Sequence, residues 1–282
     1  MESRTHEVRT RDGRVLAGRS YGPDNGEALL FIAGAASGKS MRFGTHLLRE
    51  RRVRMLCMDR PGMGGSDPYP ERTVQSTADD YYTFVRGVLD VPSPRISIVA
   101  NSQGAVFALA AAQSAWVARL VLVSPADDIG DPTVRELLPQ AGRAFAETIA
   151  NDPAAGEDIL RSFGPEQMER FVLSAASQSD QRVYRQGWFR EMYRASLREG
   201  FARQGDAYVC DTFLASRKWP LDLRSVQCRV VVMMGTEDDA HSPDQGLALS
   251  ERLPHARRQL VRGIGGALLW ERPELVFDAA ML

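Results

Sequence analysis

Short apolar runs alternate with longer stretches of helical period along most of the chain. The runs at 6–9, 14–21, 28–32, 53–58, 95–100, 119–123, 229–233 and 258–261 predict strands. Several are continuous and β-branched, as strands covered on both faces should be. Helical patterns at 40–51, 76–90, 102–114, 243–252 and 273–281 lie between them. Such alternation predicts a mostly parallel sheet, with the first two, hairpin-like strands giving it an antiparallel edge. Ser242, Pro243 and Gln245 together read as the start of the helix over 243–252.

The alternation stops between 127 and 224, where helical patterns continue without a convincing strand. Asp131-Pro132, Asp152-Pro153 and Gly164-Pro165 punctuate this stretch. A helix over 181–200 would set Tyr184, Trp188, Met192 and Ala195 along one face. Such an insertion is expected to cover the carboxyl ends of the strands, where open α/β sheets bind ligands. The expected organisation is a core of residues 1–125 and 225–282, interrupted by a helical cap of residues 126–224.

Composition narrows the function classes. Lys and Arg number 35 against 36 Asp and Glu, for a net charge of −1, so nothing points to a nucleic-acid partner. No apolar run reaches the roughly 20 residues of a membrane span, and the first residues carry no signal-peptide pattern. Cys57, Cys210 and Cys228 lack metal-ligand spacing. A reducing cytoplasm, no metal and no cofactor are the expectations, with a small molecule as the partner.

The chemistry centres on Ile96-Ser97-Ile98-Val99-Ala100-Asn101-Ser102-Gln103-Gly104. This is a strand, a sharp turn and a helix start with Ser102 at the apex. Small residues two before and two after, Ala100 and Gly104, suit a nucleophile elbow, where strand and helix crowd together. Ala33-Gly34-Ala35-Ala36-Ser37-Gly38-Lys39-Ser40 offers a rival reading. It approximates a phosphate-binding loop with Lys39 reaching the phosphates, although Ala33 stands where the first Gly belongs.

The neighbouring motifs favour the elbow. Phe31-Ile32-Ala33-Gly34-Ala35, Asp59-Arg60-Pro61-Gly62-Met63-Gly64-Gly65-Ser66, the elbow itself, and Gly235-Thr236-Glu237-Asp238 after an apolar strand follow one another in order. In that order and spacing the chain resembles the α/β-hydrolase superfamily. The resemblance implies a mostly parallel eight-stranded sheet with flanking helices and an inserted cap. It also implies Ser102 as nucleophile, Asp238 as triad acid, and the backbone amides of Gln103 and Ala35 as oxyanion donors. Gly34, Trp188, Met192 and Trp270 are candidate substrate contacts.

The family pattern then calls for a histidine in the turn after the last strand. In Gly263-Ile264-Gly265-Gly266-Ala267, Gly266 occupies that position. Four histidines remain to be weighed. His6 falls in the edge strand, His46 in the helix over 40–51, and His255 in a polar connection. His241, three residues beyond Asp238, could serve as a displaced base, but a loop residue beside a helix start is usually solvent-exposed. Asp238 or Asp239 could act as a base directly if burial raised its pKa, and Asp127 is a second possible acid position.

A serine without a base is a poor nucleophile, whereas an oxyanion hole still stabilises developing negative charge. The leading expectation is therefore an atypical, non-hydrolytic enzyme performing elimination, cyclisation or isomerisation, as on a biosynthetic intermediate. The alternatives are a serine hydrolase acting on an ester, lactone or thioester through His241, a hydrolase inactivated by loss of a histidine at Gly266, and a non-catalytic binding protein. The cluster Arg182, Arg185, Arg190, Arg194 and Arg198 would grip an anionic substrate or, more often for such a run, form a solvated helix face.

Overall fold

The computed structural model describes residues 3–281. Eight strands form one sheet in the order β1-β2-β4-β3-β5-β6-β7-β8. They are β1 (Ser3–Arg9), β2 (Val15–Tyr21), β3 (Glu27–Ile32), β4 (Val53–Met58), β5 (Ile96–Ser102), β6 (Val117–Pro125), β7 (Arg229–Gly235) and β8 (Ala256–Val261). β1 pairs antiparallel with β2, and β2 antiparallel with β4; every other pairing is parallel. The antiparallel edge and the parallel body agree with the sequence pattern. β5, whose residues are buried from Ile96 to Asn101, lies in the sheet interior and carries Ser102 to its carboxyl end.

Helices α1 (Val74–Leu89) and α2 (Gly104–Ala112) follow β4 and β5. From β6 to β7 the chain is helical: α3 (Pro132–Leu137), α4 (Gln140–Asn151), α5 (Pro153–Arg161), α6 (Pro165–Ala175), α7 (Gln178–Tyr184), α8 (Gly187–Gly200) and α9 (Asp206–Ser216). α10 (Leu247–Arg252), α11 (Leu268–Glu271) and α12 (Pro273–Met281) complete the fold. The helical stretch has no separate core. Tyr184, Phe189, Met192 and Leu197 belong to the same apolar cluster as Phe31, Val99 and Met233 of the sheet. Burying that shared face, at roughly 25 cal/mol per Å² of apolar area, holds this cap on the sheet.

Three helices differ from expectation. Residues 40–51 form turns, because Met41, Phe43 and Leu48 are buried on a non-helical path and Gly44 takes φ 54°. Phe43 stacks on Phe277 at 5.0 Å and meets Phe31 edge-on. His46 is thus an exposed turn residue. The helix over 181–200 divides before Gly187, and Tyr184 stacks on Phe189 across the break at 4.8 Å. Near 243, positive φ at Gln245 and Gly246 delays the helix to Leu247, and Asp244 rather than Ser242 binds the amide of Ala248 at 2.7 Å.

Candidate functional site

Ser102 has φ 53°, a left-handed conformation that costs a non-glycine residue about 1–3 kcal/mol and characterises nucleophile elbows. The surrounding fold enforces it. A Cβ on Gly104 would lie 2.5 Å from the carbonyl oxygen of Ile32 and 2.8 Å from that of Ala33, so only glycine fits where α2 leaves the strand. Gly34 approaches from the other side, where a Cβ would sit 3.1 Å from Cβ of Ser102. The loop expected to supply an oxyanion donor therefore does lie against Ser102.

That loop is held by a residue whose role the sequence did not show. The fully buried Arg60 guanidinium donates to the carbonyls of Ala33 and Gly34, both at 2.9 Å. It is neutralised by Asp211 of α9 at 2.5 Å, and Asp211 also pairs with Arg72. In a trans peptide the C=O and N–H point in opposite directions. Fixing the Gly34 carbonyl on Arg60 therefore turns the Ala35 N–H away from the guanidinium. A distance of 151 positions between Arg60 and Asp211 hides this pairing from any local pattern.

The phosphate-loop reading does not survive. The amide of Lys39 donates to Asp59 at 2.7 Å, and its ammonium to the same carboxylate at 2.5 Å. The amide and hydroxyl of Ser40 both donate to Glu199 of α8 at 2.7 Å. A Cβ on Gly38 would fall 2.3 Å from Cβ of Glu199. The donors that would cradle a phosphate are filled by the chain's own carboxylates.

At the end of β7, Asp238 is buried, with a relative exposure of 2%. Its loop is bound to the turn after β8. Thr236 N–H donates to the carbonyl of Val261 and Glu237 N–H to that of Ile264, each at 2.9 Å. A Cβ on Gly235 would lie 2.1 Å from the carbonyl oxygen of Ile264. The loop then folds back, and Nδ1 of His241 reaches the Asp238 carboxylate at 2.9 and 3.1 Å. The exposure expected of His241 is thus corrected: its side chain is only 20% exposed. A Cβ on Gly266 would stand 3.0 Å from Cε1 and 3.2 Å from Nδ1 of His241. Gly266 has no side chain, and the imidazole of His241 lies against it.

The electrostatics follow from this contact. Burial disfavours the charged imidazole, but the Asp238 carboxylate outweighs it and raises the His241 pKa above 6.5. Burial likewise works against the Asp238 carboxylate, yet His241 and the amide of Ala240 hold its pKa below the ordinary value. An ionised carboxylate can only accept, so Nδ1 carries the proton and Nε2 remains for proton transfer when the ring is neutral.

The other candidates separate. Asp127 is buried but bound to Arg252 and to the amide of Asp128, and Asp239 is exposed on the loop. His6 bonds Ser20 on the edge strands, and His255 is exposed. Met192 is buried, and Trp270 packs on Tyr184 and Phe189 while donating to the carbonyl of Arg42 at 2.9 Å. Trp188 is 54% exposed; the buried aromatic at that turn is its neighbour Phe189. Arg190 and Arg194 both pair with Glu169, and the Arg run forms a largely solvated face. Gln103 is buried, and its side-chain Oε1 has no hydrogen-bond partner.

No curated protein matches the sequence. Solved structures share the fold at low identity. A thermophilic esterase from Thermogutta terrifontis superposes with a TM-score of 0.68 at 20% identity, over 98% of this chain and 96% of the esterase. The enol-lactonase from Burkholderia xenovorans LB400 gives 0.67 at 19% identity, over 97% of each chain. The epoxide hydrolase CorEH gives 0.72 at 15% identity, over 99% of this chain and 98% of that one. The profile of the alpha/beta hydrolase family matches residues 29–279. The sheet order thus coincides with a match over nearly the whole sequence, and the chain belongs to the alpha/beta hydrolase family.

Proposed function

We propose that the protein is a serine hydrolase acting on an ester or lactone of a small molecule, with its catalytic base moved from the turn after β8 to the acid loop after β7. The observation that carries this reading is the hydrogen bond from His241 to Asp238 beside Gly266. The non-hydrolytic reading drew its force from the lack of an imidazole at the acid. With one bound to Asp238, hydrolysis is what the site supports best. The esterase and lactonase among the structural neighbours agree with an acyl substrate.

Ser102 and the His241–Asp238 pair stand at the carboxyl ends of β5 and β7, with β6 between them. In the proposed reaction Oγ of Ser102 attacks the acyl carbon and its proton passes to Nε2 of His241. The amides of Gln103 and Ala35 receive the developing oxyanion. Asp238 holds the ring in the required tautomer and stabilises the imidazolium. Collapse of the tetrahedral species returns that proton to the leaving alkoxide. Water, deprotonated by His241, then releases the acid and regenerates Ser102. The buried apolar side chains of Met192 and Phe189 and the partly buried Trp270 suit the carbon skeleton of the substrate. Mixing the protein with p-nitrophenyl acetate tests the reading. A burst of p-nitrophenol abolished by Ser102→Ala and by His241→Asn is expected; an undiminished burst in His241→Asn would refute it.

A further inference from the structure

Two adjacent glycines shape the turn after β8, and each admits a different side chain. Gly266 leaves room for His241. Gly265 leaves room for a cap residue: a Cβ there would lie 2.3 Å from a carboxylate oxygen of Asp180 and 2.5 Å from the hydroxyl of Ser177. The Asp180 carboxylate accepts from the amide of Ala267 at 2.7 Å and from that of Gly266 at 3.1 Å. These amides open α11, whose first turn has no intrahelical acceptor for them. Asp180 is itself fixed. Its own amide donates to Ser177 at 3.1 Å, and its carboxylate receives the Ser177 amide in return, closing a capping box on α7. It is 5% exposed.

We propose that Asp180 is a positioning residue for the catalytic imidazole, a cap carboxylate that clamps the Gly266–Ala267 turn against which the ring of His241 lies. The inference rests on the proposed role of His241. The ring is bonded to Asp238 of the acid loop and lies against Gly266 of the turn, and Asp180 of α7 binds the amides of that turn. The field of Asp180 adds to that of Asp238 in favouring the protonated ring, against the opposing effect of burial. Tyr184, buried next to both carboxylates, stays neutral because burial and those two charges raise its pKa well above the ordinary value. A seated cap therefore brings a second negative charge to the base and fixes the wall behind it.

The test is the pH dependence of kcat/KM for p-nitrophenyl acetate in the wild type, Asp180→Asn, Gly265→Ala and His241→Asn, with melting temperatures measured alongside. Asp180→Asn is expected to lower kcat about tenfold or more, because displacing a catalytic group by 1 Å can cost a hundredfold. It should also move the acidic limb to lower pH, since a negative charge near the ring is removed. A purely structural role would lower the melting temperature and leave that limb in place. Gly265→Ala keeps the charge but forces the carboxylate off the turn. It should lower kcat as well, and it decides the matter if Asp180→Asn fails to fold. Wild-type kcat and limb in the folded variants would overturn the role of Asp180. If His241→Asn alone retains full kcat, the base assignment fails instead.

Discussion

The two halves of the candidate site are built in opposite ways. The nucleophile half gathers β3, β4, β5 and the cap around Ser102. It is fixed by glycines that permit close approach and by the buried Arg60, Asp211 and Arg72. The base half comes from one loop: Asp238 and His241 lie three residues apart, and the neighbouring turn contributes an empty position at Gly266. A site spread over many elements is costly to alter without loss of the fold. A base held by one short loop beside a vacant notch can change place while the sheet stays as it is.

The largest effects should come from the reacting groups. Ser102→Ala and His241→Asn are each expected to reduce kcat by about 10³-fold or more, with Ser102→Ala leaving the melting temperature near that of the wild type. Steady-state rates and calorimetric scans would show whether chemistry and stability separate in this way. The nucleophile half should behave differently. Arg60→Met leaves the buried Asp211 with only Arg72 and is expected to cost about 3–5 kcal/mol of stability in denaturant unfolding. A loss below about 1 kcal/mol would mean that this ion network does not hold the nucleophile half together.

Smaller changes sharpen the contrast. Gly266→Ala adds one methyl where contacts of 3.0 and 3.2 Å await it, so the His241 ring must shift by a few tenths of an ångström. A fall in kcat of roughly tenfold with an unchanged melting temperature is expected, since small displacements of catalytic groups are costly. An alanine variant as active as the wild type would mean that the ring does not depend on the notch. The pH profile is the mildest probe. Hydrolysis needs the neutral ring, so kcat/KM should fall as pH drops through the His241 pKa, which lies above the usual value of about 6.5. The effect on stability has the opposite sign. The contribution of His241 is complete below its unfolded pKa and is lost as pH rises through the folded one, whereas that of Asp238 is lost as pH falls.

The sheet was readable because its strands contain continuous apolar runs, as at 28–32, 55–58 and 120–123. The helix expected over 40–51 failed because Met41 and Leu48, seven apart as on one helix face, pack from turns together with Phe43. Ser102 and Asp238 were legible because each sits in a local motif with a steric reason for its small residues. His241 was recognised only as an alternative, since nothing in a loop sequence says that it folds inward. The signal that favours it is a pairing in the sequence: Gly266 where the resemblance calls for a histidine, and His241 three residues after Asp238. Asp180 and Asp211 belong to cap helices and act on loops far away in sequence, so only tertiary structure joins them to the site.

If the catalytic imidazole sits on the loop after β7 in place of the turn after β8, moving it to position 266 should restore function. The measurement is the rate of Ser102 acylation by p-nitrophenyl acetate in His241→Ala and in the double variant His241→Ala with Gly266→His. Removing His241 clears the atoms that a side chain at 266 would otherwise meet. The single variant is expected to lose the acylation burst and the double variant to regain a measurable part of it. A single variant that acylates as fast as the wild type would contradict that placement of the imidazole.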